Sequence, residues 1–236
     1  MNTLLADTPQ SDFHSWRYLR NTARRLEHLA TLGLEFNGKT ILELGAGIGD
    51  LSTFFLDRGA IVHATEGRPE NYAFLKDRFE DEPNITTQLI DLDPPPADFE
   101  KTFDIVMSYG LLYHLSDPAA GLDFMNQSAR DLLLLESICL PGDELSINPY
   151  EEIQTQAGAA YSGMGCRPTR KWVFKQLKER FNYVYLPTTQ PSHIEFPTDW
   201  TRKSHPAATR SVFIASRTSL NNPLLTQDLL TIQTPV

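Results

Sequence analysis

Glu43-Leu44-Gly45-Ala46-Gly47-Ile48-Gly49 is the stretch on which the reading of the fold turns. Thr40–Leu44 reads as a short buried strand, and Asp50–Arg58 as a helix. Glycines at a strand-to-helix turn adopt positive φ and let a ligand approach the backbone closely. The exposed amides at the helix start favour a negatively charged group. Such a loop serves NAD, FAD or S-adenosylmethionine, and spacing separates them. A dinucleotide fingerprint takes a glycine at position 50, where this chain has Asp50. The third glycine comes one residue early, at Gly49, and Glu43 stands two residues before the first.

Outward from this loop, strands and helices alternate. Ile61–Thr65 reads as a strand and Pro69–Phe79 as a helix with proline in its first turn. Ile85–Ile90, Phe103–Ser108 and Leu132–Glu136 read as strands, and Ala119–Gln127 as a helix. Asp91–Pro96 holds three prolines and must be loop. This alternation argues for a parallel sheet covered on both faces. Residues 11–32 show a helical period through Phe13, Trp16, Leu19, Ala23, Leu26 and Ala30, with Ser11 as a cap and Gly33 as a stop. Arg17, Arg20, Arg24 and Arg25 decorate that helix as a solvated face or a local anion site. The rhythm breaks over 141–166, rich in glycine and proline, the pattern of a functional loop or lid. Pro168–Phe181 is then a basic helix, with Trp172, Val173, Leu177 and Phe181 inward, and Tyr183–Leu186 and Ser211–Ser216 are final strands. The expected organisation is a helical segment 1–34, a main domain 35–217 and a tail 218–236.

Composition narrows the function. The 236 residues are 41% hydrophobic and 22% charged, enough apolar material for a real core. A net charge of −9 argues against a general nucleic-acid binder. Two cysteines, Cys139 and Cys166, cannot build a disulfide framework. The longest apolar run, Leu132–Leu135, is too short to span a bilayer, and residues 1–10 lack the pattern of a signal peptide. A cytoplasmic protein without membrane attachment is expected; oligomeric state is not legible.

Acidic-x-Gly-x-Gly-x-Gly resembles the first motif of class I S-adenosylmethionine-dependent methyltransferases. Glu66 at the end of the second strand, Asp91 directly after the third, and Tyr109-Gly-Leu-Leu-Tyr-His-Leu-Ser-Asp-Pro118 after the fourth agree with it. The resemblance covers 35–140 best. It implies an α/β, Rossmann-like, mostly parallel seven-stranded sheet with helices on both faces and the cofactor S-adenosyl-L-methionine across the C-terminal strand ends. Gly45, Gly47 and Gly49 would wrap the methionine half, with Glu43 near its ammonium or ordering the loop. Glu66 would hold the ribose through two hydrogen bonds, Asp91 with Leu92 would flank adenine, and Tyr109 and Gly110 would line the carboxypropyl or methyl side. Asp93 competes with Asp91.

Methyl transfer to a hydroxyl or amine benefits from a base. His114, bordering the expected methyl position, is the first candidate, since an imidazole titrates near neutrality. Tyr113 could orient an acceptor, and Glu136 could be a second base or an orienting group. His193, Glu195, Phe196, Asp199 and Trp200 could line a polar acceptor pocket, with Tyr161 and Met164 closing over it. No metal is assigned. The expected function is transfer of a methyl group to an O or N nucleophile of a small-molecule or glycan-type acceptor. A non-catalytic cofactor-binding module, or a methyltransferase acting on RNA through the basic helix, is the alternative.

Overall fold

In a computed structural model, described over residues 7–202 and 208–236, apolar residues alternate along each central strand between two packed layers. The chain opens with α1 (Pro9–Phe13) and α2 (Trp16–Thr31). It continues through β1 (Thr40–Leu44), α3 (Ser52–Leu56), β2 (Ile61–Glu66), α4 (Pro69–Arg78), β3 (Ile85–Leu89) and β4 (Phe103–Tyr109). A single turn at Leu112–His114 precedes α5 (Pro118–Ser128) and β5 (Ala129–Ile138). The insertion contributes a hairpin of β6 (Pro149–Glu151) and β7 (Met164–Cys166). Then follow α6 (Arg170–Lys178), β8 (Tyr183–Pro187), β9 (Thr189–Gln190), β10 (Arg210–Ser216), β11 (Leu225–Thr226) and β12 (Thr234–Pro235).

The main sheet runs β11-β8-β10-β5-β4-β1-β2-β3. Strands β1 to β5 are mutually parallel, and β10 is antiparallel to both its neighbours. Seven strands carry the expected mostly parallel arrangement; an eighth, β11, comes from the tail and pairs with β8. Val106 faces a layer with Leu122 and Met125 of α5 and Val173 and Leu177 of α6. Ile105 and Met107, one residue to either side, face Leu29 of α2, Phe54 and Phe55 of α3 and Leu75 of α4. This period of two fixes the register, because a slip of one residue would turn the apolar set outward. The strand order reverses between β1 and β4, and in open α/β sheets the crevice at that point takes ligands.

The leading helix differs from its expected form. It is two helices: Thr8 caps α1 and Ser15 caps α2, so Ser11 caps neither. Gly33, φ +61, follows the end of α2. The buried face of α2 is Asn21, Thr22, Arg25, His28 and Leu29, whereas Trp16, Leu19, Ala23 and Ala30 are exposed. The apolar period therefore marked the outer side. Polar groups turn inward because buried acids await them there: Glu136 meets Arg25 and Glu195 meets Asn21. The tail is packed, with Gln233 buried between Arg170, Trp200 and the Pro187 carbonyl. No helix among the described residues is long and apolar enough to cross a membrane.

Candidate active site

The glycine loop crosses from β1 to α3 at the sheet's switch point. Gly45 and Gly47 have φ of +68 and +58, which favours glycine. A Cβ at Gly47 would lie 2.8 Å from the Phe13 ring, and one at Gly45 would lie 3.2 Å from Leu111. Both glycines line a cleft with Glu66, Asp91, Leu92, Tyr109, Gly110 and His114. Gly49 does not line it. A Cβ there would overlap Phe79 and Leu75, so this glycine lets α4 pack against the loop. Glu43 also lies behind the loop. Its Oε2 accepts from Ser52 Oγ at 2.5 Å, Oε1 has no partner, and burial pushes its pKa up to about 7.

Glu66 organises the cleft from the end of β2. Its carboxylate accepts from the Gly47 amide at 2.8 Å, the Arg68 amide at 2.9 Å and Asn71 Nδ2 at 3.3 Å. Burial raises its pKa, and these donors oppose the rise. A carboxylate offers about four lone-pair sites. Three are taken, so Glu66 can receive one further hydroxyl rather than the expected two. Asp91 Oδ1 accepts the Asp93 amide, while Asp93 ties Ser116 to Ser162 of the insertion.

The lid expected within 141–166 covers this cleft, but sequence reasoning missed Phe13, Tyr18, Arg68 and Asn71 around it. Phe13, Tyr18 and residues 157–162 of the insertion close it, with Arg68 and Asn71 in its wall. Arg68 is almost wholly buried; Nη2 donates to the Ala159 carbonyl, Tyr161 lies under the guanidinium, and Nε and Nη1 have no partner. The Tyr109 hydroxyl is likewise buried without a partner. These orphaned groups and the positive-φ glycines fit a polar ligand that presents acceptors to the cleft. An arginine two residues after a strand-end acid was the one available signal. Tyr161 therefore faces this cleft and not the neighbouring cavity beside His114, and Met164 lines neither.

A second cavity, about 400 Å³, shares Tyr18, His114, Gly158 and Ala159 with the first. His114 Nδ1 meets Glu152 Oε2 at 2.6 Å. Glu152 also takes Arg167 Nη1 at 3.1 Å and the Ala160 amide at 2.9 Å. Burial opposes its ionisation, but His114, Ala160 and Arg167 outweigh burial and hold its pKa at about 2. Burial lowers the pKa of His114 despite Glu152, so the imidazole is neutral near pH 7. Glu136 cannot serve as the expected second base. It is fully buried, with Oε2 on Arg25 at 2.6 Å and Oε1 on Arg210 at 3.1 Å. Proton uptake would leave those two guanidiniums unpaired. Tyr113 Oη accepts from Arg210 Nη2 at 3.1 Å within the cavity wall.

Residues 42–131 match the family model described as a methyltransferase domain. No curated protein matches the sequence. Among solved structures, the chain is similar to the N-terminal domain of EvdMO1 in the presence of SAH and D-fucose. That likeness has 21% identity over 83% of this chain and 82% of the other, with a TM-score of 0.62. It is similar also to an S-adenosylmethionine dependent methyltransferase from Mesorhizobium loti: 19% identity, 84% of this chain, 100% of the other, TM-score 0.60. A third is the magnesium protoporphyrin IX methyltransferase (ChlM) from Synechocystis PCC 6803 with bound SAM: 14% identity, 92% and 87% coverage, TM-score 0.57. The fold is that of the class I methyltransferases, and the domain implies S-adenosylmethionine as its cofactor.

Outside residues 42–131, the late expectations divide. Of the 193–200 cluster only Glu195 reaches the second cavity; Phe196 and Trp200 are core, and Asp199 folds back on Thr201 and Arg202. Among the described residues no group of three or more His, Cys, Asp or Glu is arranged to hold a metal. The basic helix forms no single patch. Arg170 is buried against Ser211 and Gln233, Arg167 turns to Glu152, and Arg180 pairs with Asp123.

Proposed function

We propose that the protein is an S-adenosylmethionine-dependent methyltransferase acting on a hydroxyl of a small-molecule or glycan-type acceptor. The carrying observation is His114, which walls both cavities and has Nδ1 engaged by Glu152 at 2.6 Å. S-adenosylmethionine, when bound, supplies an electrophilic methyl group and departs as a neutral thioether. Gly45, Gly47 and Tyr109 would hold its methionine side, Glu66 its ribose, and Asp91 with Leu92 its adenine. Arg68 would add donors that the family motif does not contain.

Glu152 fixes the imidazole tautomer: the proton sits on Nδ1, and Nε2 keeps its lone pair. Nε2 then receives the hydroxyl proton as the acceptor oxygen attacks. The second cavity carries four guanidiniums, Arg17, Arg25, Arg167 and Arg210, among four carboxylates, Asp12, Glu151, Glu152 and Glu195, a polar lining suited to a polyhydroxylated acceptor. The EvdMO1 domain, described with SAH and D-fucose, supports a sugar as the acceptor. Free, buried Cys139 and Cys166 accord with a reducing, cytoplasmic setting.

The test is S-adenosylhomocysteine release across hexoses, deoxyhexoses, hexuronates and primary amines. Release with sugars and not with amines is expected. Release with amines alone contradicts the reading.

A further inference from the structure

A methyl group leaving the cofactor cleft must cross where that cleft meets the second cavity. Four residues wall both: Tyr18, His114, Gly158 and Ala159. The two residues of the insertion have their backbone largely engaged. The Gly158 amide donates to Asp12 Oδ2 at 3.2 Å, the Ala159 amide to the Gln156 carbonyl at 3.1 Å, and the Ala159 carbonyl accepts from Arg68. His114, with Nδ1 on Glu152, is left with Nε2. The Tyr18 hydroxyl is the other polar side-chain group at the crossing.

Tyr18 is fixed on two sides. It stands in the first turn of α2, and its ring meets Phe13 edge-on, with centroids 4.9 Å apart. Gly158 of the roof passes close by: a Cβ there would lie 3.5 Å from Cε2 and 3.7 Å from Oη. Although the ring is held, the hydroxyl makes no hydrogen bond to any described residue; only the backbone amide is engaged, by Ser15. Burial raises the pKa of the phenol, so it keeps its proton at neutral pH and can donate. A held donor without an internal partner, set in a cavity wall, is one that a ligand satisfies.

We propose that Tyr18 contacts the acceptor, its hydroxyl donating to the oxygen that attacks the methyl group while His114 takes that oxygen's proton. This rests on the proposed transfer to a hydroxyl and adds a second residue to it. A hydroxyl oxygen has four tetrahedral directions: its carbon, its proton and two lone pairs. His114 Nε2 takes the proton and Tyr18 occupies one lone pair, which leaves the other aimed at the methyl carbon. The new O–C bond forms as the C–S bond breaks, and that electron pair leaves with sulfur. The acceptor's proton goes to Nε2, and Tyr18 keeps its own.

Kinetics of S-adenosylhomocysteine release from glucose, galactose and their 6-deoxy forms test this, comparing the full chain with Tyr18→Phe. The variant keeps the ring contacts with Phe13 and Gly158 and removes a hydroxyl that no described residue uses, so the fold loses nothing. A fall of roughly three- to tenfold in kcat is expected, the worth of one neutral hydrogen bond. Calorimetric affinity for S-adenosylhomocysteine should stay as in the wild type. Added to His114→Asn, Tyr18→Phe should cost much less than it does alone, because both groups act on one oxygen. An unchanged kcat in Tyr18→Phe overturns the inference while leaving transfer to a hydroxyl standing. A full, independent loss in the double variant also overturns it, since a merely structural residue behaves that way. Lost S-adenosylhomocysteine affinity in Tyr18→Phe assigns the hydroxyl to the cofactor cleft or the fold and overturns it too. No release from any sugar by the wild type overturns this inference together with the reading beneath it.

Discussion

His114 Nδ1 and Glu152 Oε2 lie 2.6 Å apart, joining the turn after β4 to the insertion between β5 and α6. Under the proposed mechanism the pair makes the insertion part of the chemistry as well as a cover. His114→Asn is expected to lower kcat by roughly 10²–10⁴-fold with cofactor affinity retained, the range for loss of a positioned base. Steady-state kinetics with calorimetry of S-adenosylhomocysteine check both halves.

The pH profile follows from the same pair. Burial lowers the pKa of His114, and Glu152 partly restores it. The rate should rise with pH through an inflection below about 6.5 and level off at neutrality, because only the neutral imidazole accepts a proton. Glu152→Gln should move that inflection further down while reducing kcat. An unshifted inflection would separate Glu152 from the base.

Glu43 makes a stability prediction. Its folded pKa, about 7 through burial, lies above its ordinary value of 4.5. The folded state therefore binds more protons between those values, and stability declines as pH rises through that window. Glu43→Gln should remove this slope and gain up to about 3 kcal/mol above pH 7. Urea unfolding at pH 5 and pH 8 measures the difference.

Arg68 couples the cofactor cleft to the insertion through the Ala159 carbonyl and Tyr161. Arg68→Ala should leave the protein without cofactor at least as stable, since an incompletely paired buried cation is removed. The same variant should weaken S-adenosylhomocysteine binding and speed its release, read by stopped flow.

The free volume left in the cofactor cleft is about 90 Å³, against roughly 300–1,000 Å³ for ordinary ligand sites. Residues 157–162, which border it, are expected to move outward as the cofactor enters. Amide exchange there should be rapid in the free protein and slow once S-adenosylhomocysteine is bound.

How far the sequence reached depends on whether a signal was local. The glycine loop, Glu66 and the alternating strands were legible because turn chemistry and period-two burial are local patterns. Gly49 misled, since spacing cannot tell a glycine facing ligand from one facing Leu75 and Phe79. The inner face of α2 was misread for a related reason. Its burial follows charge pairing with Glu136 and Glu195, more than 100 positions away, and not apolar content. Glu152 and Arg210 gave no sequence signal, and Arg25 showed only as one of four arginines on a helix, because only tertiary folding gathers them around one cavity.

The most direct test of the account is a calorimetric titration of S-adenosylhomocysteine into the wild-type chain and Glu66→Ala. Glu66 anchors Gly47, Arg68 and Asn71 together, so the account predicts saturable one-site binding weakened at least tenfold in the variant. No binding by the wild type, or equal affinity in both proteins, would contradict it.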